Sequence, residues 1–399
     1  MDRLVLRGGR VLDPAQGIDA GLDVVVEDGR IVALEAPGRA APGGQELDLE
    51  GALVVPGLVD LHGHWFEGSP YGLDPRANLR GGVTTAVDAG TAGYANFGEF
   101  RRNAIEHGAV RVLAFVHVAA AGLATTVVGE LEDIRWARPG EASAVVRANR
   151  DVAVGIKVRI GTGACGRNGT SALAAALEAA SLAGTPLMAH IAEGADVASV
   201  AARLRPGDVV THALTGSGTG ILGRDGLLEE VRAARRRGVV FDVGHGCGSF
   251  SWAVARRALE AGFAPDTIST DLHRYSFEQP VVDLPTTMSK FVHLGVPLAD
   301  VVAAATARPA AIVGRPELGT LRPGAPADVT VLRRDPEPAV LVDSAGVGEP
   351  VAGRLRPEFT IVGGIVHRAA EVDVPLRPYL EADYEVDCAA PIGELAGSR

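Results

Sequence analysis

His62 and His64 stand two residues apart at the end of the apolar run Val55-Pro56-Gly57-Leu58-Val59-Asp60-Leu61. On an extended strand, residues i and i+2 share a face, so both imidazoles can grip one ion. Lys157 lies within Val154-Gly155-Ile156-Lys157-Val158, an apolar setting where an unpaired ammonium is costly. Burial lowers a lysine pKa and makes the neutral amine available. A neutral amine can capture carbon dioxide as a carbamate, whose two oxygens can bridge two cations. His190 and His212 each close a short apolar run, and Asp271 comes directly after Ile268-Ser269-Thr270. Singly, each has a plain structural alternative: a hydrogen-bonded strand-end histidine, a snorkelling lysine, an aspartate capping a helix. Together they suit divalent metals, and a metal-bound water is a nucleophile at neutral pH. Metal-dependent hydrolysis is the chemistry these six residues could perform.

Such a set needs a scaffold that brings distant residues to one rim. Eight short apolar runs qualify as strands: 57–61, 83–88, 110–117, 152–159, 186–190, 208–212, 239–243 and 267–270. Ala-rich helical patterns lie between most of them, as at 171–183, 226–237 and 251–261. Eight strands alternating with helices over ~250 residues is the arithmetic of a (β/α)8 TIM barrel, an α/β fold whose active sites lie at the C-terminal ends of its strands. All six residues fall at those ends. A doubly wound open sheet is the competing architecture, but Leu61-His62-Gly63-His64 is not its Gly-rich phosphate turn.

Both ends of the chain read differently. Apolar runs at 4–6, 23–26 and 30–34, with an Asp28-Gly29 hairpin signal, are matched by runs at 327–332 and 359–364. The expected division is a barrel over 56–307 and a small β-sandwich domain from 1–55 and 308–399. Past about residue 375 the chain is acidic and poorly patterned, and it is expected to form a tail packed on the surface.

The charge of −11 and a pI near 5.4 argue against a nucleic-acid or anionic-membrane partner, which would need clustered Lys and Arg. No apolar run approaches the ~20 residues of a membrane span. The start, MDRLVLRGGR, lacks a secretory signal, and Cys165, Cys247 and Cys388 are too scattered for a disulfide framework. A cytoplasmic enzyme acting on a small molecule, and forming a homo-oligomer through its apolar helices, is expected.

Weaker candidates surround the six. His245 comes after the seventh strand and could contact a substrate carbonyl or leaving group. Arg159, two past Lys157, could pair a substrate carboxylate or equally a carboxylate of the fold. His273 and Arg274 open the loop after the eighth strand. Cys247 reads as packing in a Gly-rich loop, and His107, His117, His293 and His367 read as structural.

The sequence resembles the amidohydrolase superfamily, within it the amidohydrolase/deacetylase group related to dihydroorotases and D-aminoacylases. The resemblance spans nearly the whole chain. It rests on Val55 to His64, on Gly155-Ile156-Lys157-Val158-Arg159, and on Asp242-Val243-Gly244-His245-Gly246. It continues through Ser269-Thr270-Asp271-Leu272-His273 and Asp283-Leu284-Pro285-Thr286-Thr287-Met288-Ser289-Lys290-Phe291, and closes with Gly319 to Asp328. It implies that His62, His64 and Asp271 bind the more buried of two metals, that carboxylated Lys157 bridges both, and that His190 and His212 hold the second. Zinc suits these ligands, without excluding manganese, cobalt or iron. A bridging hydroxide would attack the acyl carbon, with Asp271 as general base and then acid.

The expected activity is hydrolysis of an exocyclic acyl amide or ester, such as an N-acetyl amino acid or O-acetyl hydroxy acid. The alternative is a cyclic amidase of the dihydroorotase or hydantoinase kind. An inactive scaffold would have lost ligands, and none is lost here.

Overall fold

The computed structural model describes residues 3–217, 220–224 and 226–375. The expected C-terminal tail, and Cys388 within it, lie outside the described residues.

Seven parallel strands form one curled sheet in chain order: Leu58–Gly63, Val83–Gly93, Arg111–His117, Ala153–Ile160, Leu187–Ile191, Val209–Thr211 and Val240–Phe241. Residues 267–272 form the eighth stave without a continuous ladder. Val243 N–H and Gly246 N–H donate to Thr267 O and Thr270 O at 3.1 and 2.8 Å, and across the other edge Asp271 N–H donates to His62 O at 2.7 Å. Single parallel bridges, Asp242 to Thr267 and Gly63 to Leu272, complete the closure. The fold is a (β/α)8 barrel.

Helices Gly169–Ala183, Glu229–Arg237 and Trp252–Glu260 occupy the expected places. The second starts three residues later than its pattern predicts, because Gly226–Leu227 pairs with Leu222–Gly223 in a two-residue ladder. Their apolar faces pack on outward-facing strand residues such as Ile156, Val158, Leu187 and Ala189. Inward-facing residues, among them Val59, Leu61, Val87, Leu113, Phe115 and Met188, fill the barrel with a separate apolar plug. That plug leaves only the upper rim for polar chemistry.

Strict alternation would not aim the ligand candidates inward, because Leu61 already faces the plug. The first strand shifts register against the second between Asp60 and Gly63, and the fourth shifts against the third next to Val154. An extra residue at a bulge re-aims the side chains beyond it. Past these shifts, His62 and Lys157 turn into the barrel.

Both chain ends meet in an eight-stranded sheet. Leu53–Pro56 lies between Arg3–Asp13 and Val329–Arg334, and Leu355–Val362 extends the far side. The Asp28-Gly29 turn has φ of 48° and 74° at its two residues, the left-handed pair that a tight hairpin requires. Thr330 ties this sheet to the barrel: its hydroxyl donates to Gly82 O at 2.6 Å and accepts from Leu58 N–H at 3.1 Å.

Candidate metal centre at the barrel rim

The first strand delivers His62 and His64, and the eighth stave delivers Asp271. His62 Nε2 and His64 Nε2 lie 3.2 and 3.0 Å from the same oxygen, Asp271 Oδ1. These three are buried, and their ligand atoms all lie within 4.8 Å of one another. Lys157 Nζ is 3.2 Å from His62 Nε2 and 3.5 Å from Met188 Sδ. On the far side, His212 Nε2 and His190 Nδ1 meet at 2.7 Å, and the His62 and His212 rings are 5.0 Å apart. All six candidates therefore converge around one point of the rim.

Hydrogen bonds place a proton on the outer nitrogen of His62 and of His212. Thr211 Oγ1 donates to Asp242 Oδ2 at 2.8 Å, so its lone pair accepts from His62 Nδ1–H at 2.7 Å. Thr91 Oγ1 stands 2.7 Å from His64 Nδ1, and Gly244 O accepts from His212 Nδ1–H at 2.7 Å. His212 thus turns a bare Nε2 to His190 Nδ1. His62 Nε2 and His64 Nε2 both turn to that same carboxylate oxygen of Asp271. Such a donor set fits a divalent cation.

Burial pushes His64 down to about 4 and His212 to about 3, and holds His190 well below its ordinary value, so all three are neutral. His62 is the exception. Burial and Lys157 lower it, but Asp271 and Asp242 raise it above its ordinary value. Two carboxylates draw positive charge to this nitrogen, which a bound cation would supply. Asp271 is pushed up by burial, yet the facing imidazoles hold it well below the usual carboxylate range. Lys157 is lowered by burial to about 7, giving a large share of free amine at neutral pH.

Two non-glycine residues here have left-handed backbones, His212 at φ 66° and Asp271 at φ 48°. Such conformations cost energy and gather at functional sites. Gly246 presses against Asp271, and a Cβ added there would collide with Oδ2.

A cavity of about 180 Å³ opens onto the site, lined by His64, Lys157, His190 and Asp271 together with Arg159 and His273. Tyr71, Glu193 and Ser217 also line it, and sequence reasoning missed them because loop residues carry no periodic signal. Arg159 pairs with buried Glu130 and bonds Thr126 Oγ1 at 3.1 Å. His273, lowered by burial to about 4, stands 3.6 Å from Cys247 Sγ and 5.1 Å ring to ring from Tyr71.

His245 is placed elsewhere. It is fully buried, stacks on Phe250 at 4.7 Å and turns Nε2 to Lys290 Nζ. It supports the loop whose Cys247, Gly248 and Ser249 form one wall of the cavity.

Among the described residues, no helix is long and apolar enough to cross a membrane. The pattern of the amidohydrolase family matches residues 53–366. A protein of Brucella anthropi named deacetylase is 36% identical over 351 residues, covering 86% of this chain and 87% of that protein. A crystal structure titled as an adenine deaminase superposes with a TM-score of 0.85 at 30% identity, covering 92% of this chain and 100% of that one. Another, titled as a dihydroorotase, superposes at 0.84 with 33% identity, covering 92% and 99%. The chain belongs to the amidohydrolase family of hydrolases.

Proposed function

We propose that this hydrolase cleaves an exocyclic acyl amide or ester, as a deacetylase of small N-acetyl or O-acetyl carboxylic acids. The observation that carries the reading is the shared oxygen of Asp271, faced by two imidazole nitrogens beside a buried amine. A deacetylase-named relative aligned along most of the chain supports it, and the small cavity suits a small acylated acid.

His62, His64 and Asp271 would hold one divalent ion, His190 and His212 a second, and carboxylated Lys157 would serve both. Zinc suits this donor set. When bound, such a pair supplies Lewis acidity and lowers the pKa of water. On carboxylation, the Lys157 nitrogen bonds to the carbon of carbon dioxide and releases one proton, so a potential cation becomes an anionic ligand. Asp271 is ionised and lines the cavity, so it can accept a proton there and return it to a leaving group. An amide nitrogen needs that proton more than an ester oxygen does. Arg159 lines the same cavity, so its positive charge, held by Glu130, can also attract a substrate carboxylate.

Ring opening of a cyclic amide is the second reading, favoured by the likeness to the dihydroorotase structure. The test pairs metal analysis with a panel of N-acetyl amino acids, O-acetyl hydroxy acids, dihydroorotate and hydantoins on zinc-loaded protein. Two ions per chain and turnover of acylated acids are expected. Lys157→Ala should lose metal and activity, with partial rescue by short-chain carboxylic acids plus metal. Turnover confined to the cyclic amides would hand the case to the second reading.

A further inference from the structure

Behind His62, His64 and Asp271 stand three buried carboxylates that the cavity does not reach. Asp242 accepts hydroxyl hydrogens from Thr211, Thr267 and Ser269 at 2.8, 2.6 and 2.7 Å. Asp88 accepts the backbone N–H groups of Trp65 and Thr91 at 2.9 and 2.7 Å. Asp60 accepts Thr270 N–H at 3.0 Å, the Thr270 hydroxyl, and His62 N–H at 3.4 Å. It therefore fastens the residue before Asp271 to the strand that carries His62.

Asp242 reaches His62 through the Thr211 hydroxyl, and Asp88 fixes the backbone of Thr91, whose hydroxyl stands 2.7 Å from His64 Nδ1. In the first, the carboxylate accepts from the Thr211 hydroxyl and that hydroxyl accepts from His62 Nδ1–H, which turns Nε2 inward. Reversing that order would require a proton on the aspartate. The relay fixes ring orientation and raises the basicity of the inward nitrogen, as outer partners do for metal-bound histidines. The other pair is held differently. Among the described residues, His212 Nδ1 bonds only a backbone carbonyl, and His190 Nδ1 bonds only His212 itself.

We propose that Thr211 and Thr91 are positioning residues that make the His62–His64–Asp271 site the tight metal site of the pair, leaving His190 and His212 with a weaker, exchangeable ion. The inference rests on the two-metal reading of the site. It predicts an order of loading, with the three-ligand site filling first and a mild chelator stripping only the second ion.

Metal-free full-length protein is titrated with Zn²⁺ against a chromogenic chelator, for wild type, Thr211→Val, Thr91→Val and the two Ser variants. Valine keeps the shape of threonine and removes the hydroxyl. Wild type should show two binding steps at least about tenfold apart, and either valine should weaken the tighter step by roughly 10–100-fold while sparing the weaker one. Serine should restore the tighter step to within about threefold. A valine variant with wild-type first-step affinity, equal weakening of both steps, or failure of serine to restore the step would each overturn the relay. Wild-type protein that binds no metal would overturn the two-metal reading with it. The two threonines lie on different strands, so misfolding of one variant leaves the other to decide.

Discussion

The guanidinium of Arg159 is committed to Glu130, whose side chain is 1% exposed and whose second carboxylate oxygen has no hydrogen-bond partner among the described residues. One charge at the cavity edge thus serves the fold and can serve a ligand, and the two uses separate experimentally.

Arg159→Met leaves Glu130 buried and unpaired, so a loss of about 3–5 kcal/mol is expected by urea unfolding. Adding Glu130→Gln should recover most of it. In that double variant, KM for an N-acetyl amino acid should rise far more than KM for its neutral methyl ester. Equal changes in both would make Arg159 structural only.

Asp271→Asn keeps an oxygen ligand and removes the proton acceptor. Metal content should largely persist while kcat falls by on the order of 10²-fold or more. Near wild-type turnover, in protein whose substitution mass spectrometry has verified, would remove Asp271 from proton transfer.

Gly246→Ala adds a Cβ where Asp271 Oδ2 stands, on a backbone at φ 50°. The loop must shift or the carboxylate must turn away. The expected result is weaker metal binding and lower kcat, with a smaller loss of Tm than Arg159→Met causes. Unchanged metal affinity would show that the loop yields freely.

Lys290 is fully buried, and its Nζ donates to Val342 O at 2.7 Å and Pro280 O at 3.1 Å besides meeting His245. Burial lowers it from 10.5 to about 7. Between those values the unfolded chain binds a proton that the folded chain does not. Stability from this group therefore rises with pH across that window, by at most about 1.4 kcal/mol per pH unit, and is flat below it. Lys290→Met should remove that rise. Urea midpoints at pH 7 and pH 9, compared between wild type and variant, check the difference in slope.

Much of the fold and of the site is legible in the sequence. The alternation of apolar runs and helices gives the barrel, and strand-end placement brings together His62, His64, Lys157, His190, His212 and Asp271. The bulges that turn His62 and Lys157 inward are not legible, because a register shift depends on the neighbouring strand. Asp60 and Asp242 sit inside the motifs that carry the family resemblance, yet their partners Thr270 and Thr211 are distant in sequence or on another strand. The place of His245 after a strand points it to the mouth of the barrel. Its actual direction is set by Lys290, 45 residues later, and no spacing rule connects them.

The sheet that joins both chain ends imposes an order on folding during synthesis. Arg3–Asp13 and Ile18–Glu27 can pair as soon as they emerge, since only a short turn separates them. Leu53–Pro56 has a partner at Val329–Arg334 that is made only after the whole barrel. Until then, one side of that strand is an unpaired edge, the kind of surface that recruits other chains. Contacts this distant in sequence also slow the final closure. A ribosome that stalls inside the barrel would therefore hold a nascent chain with that edge still open.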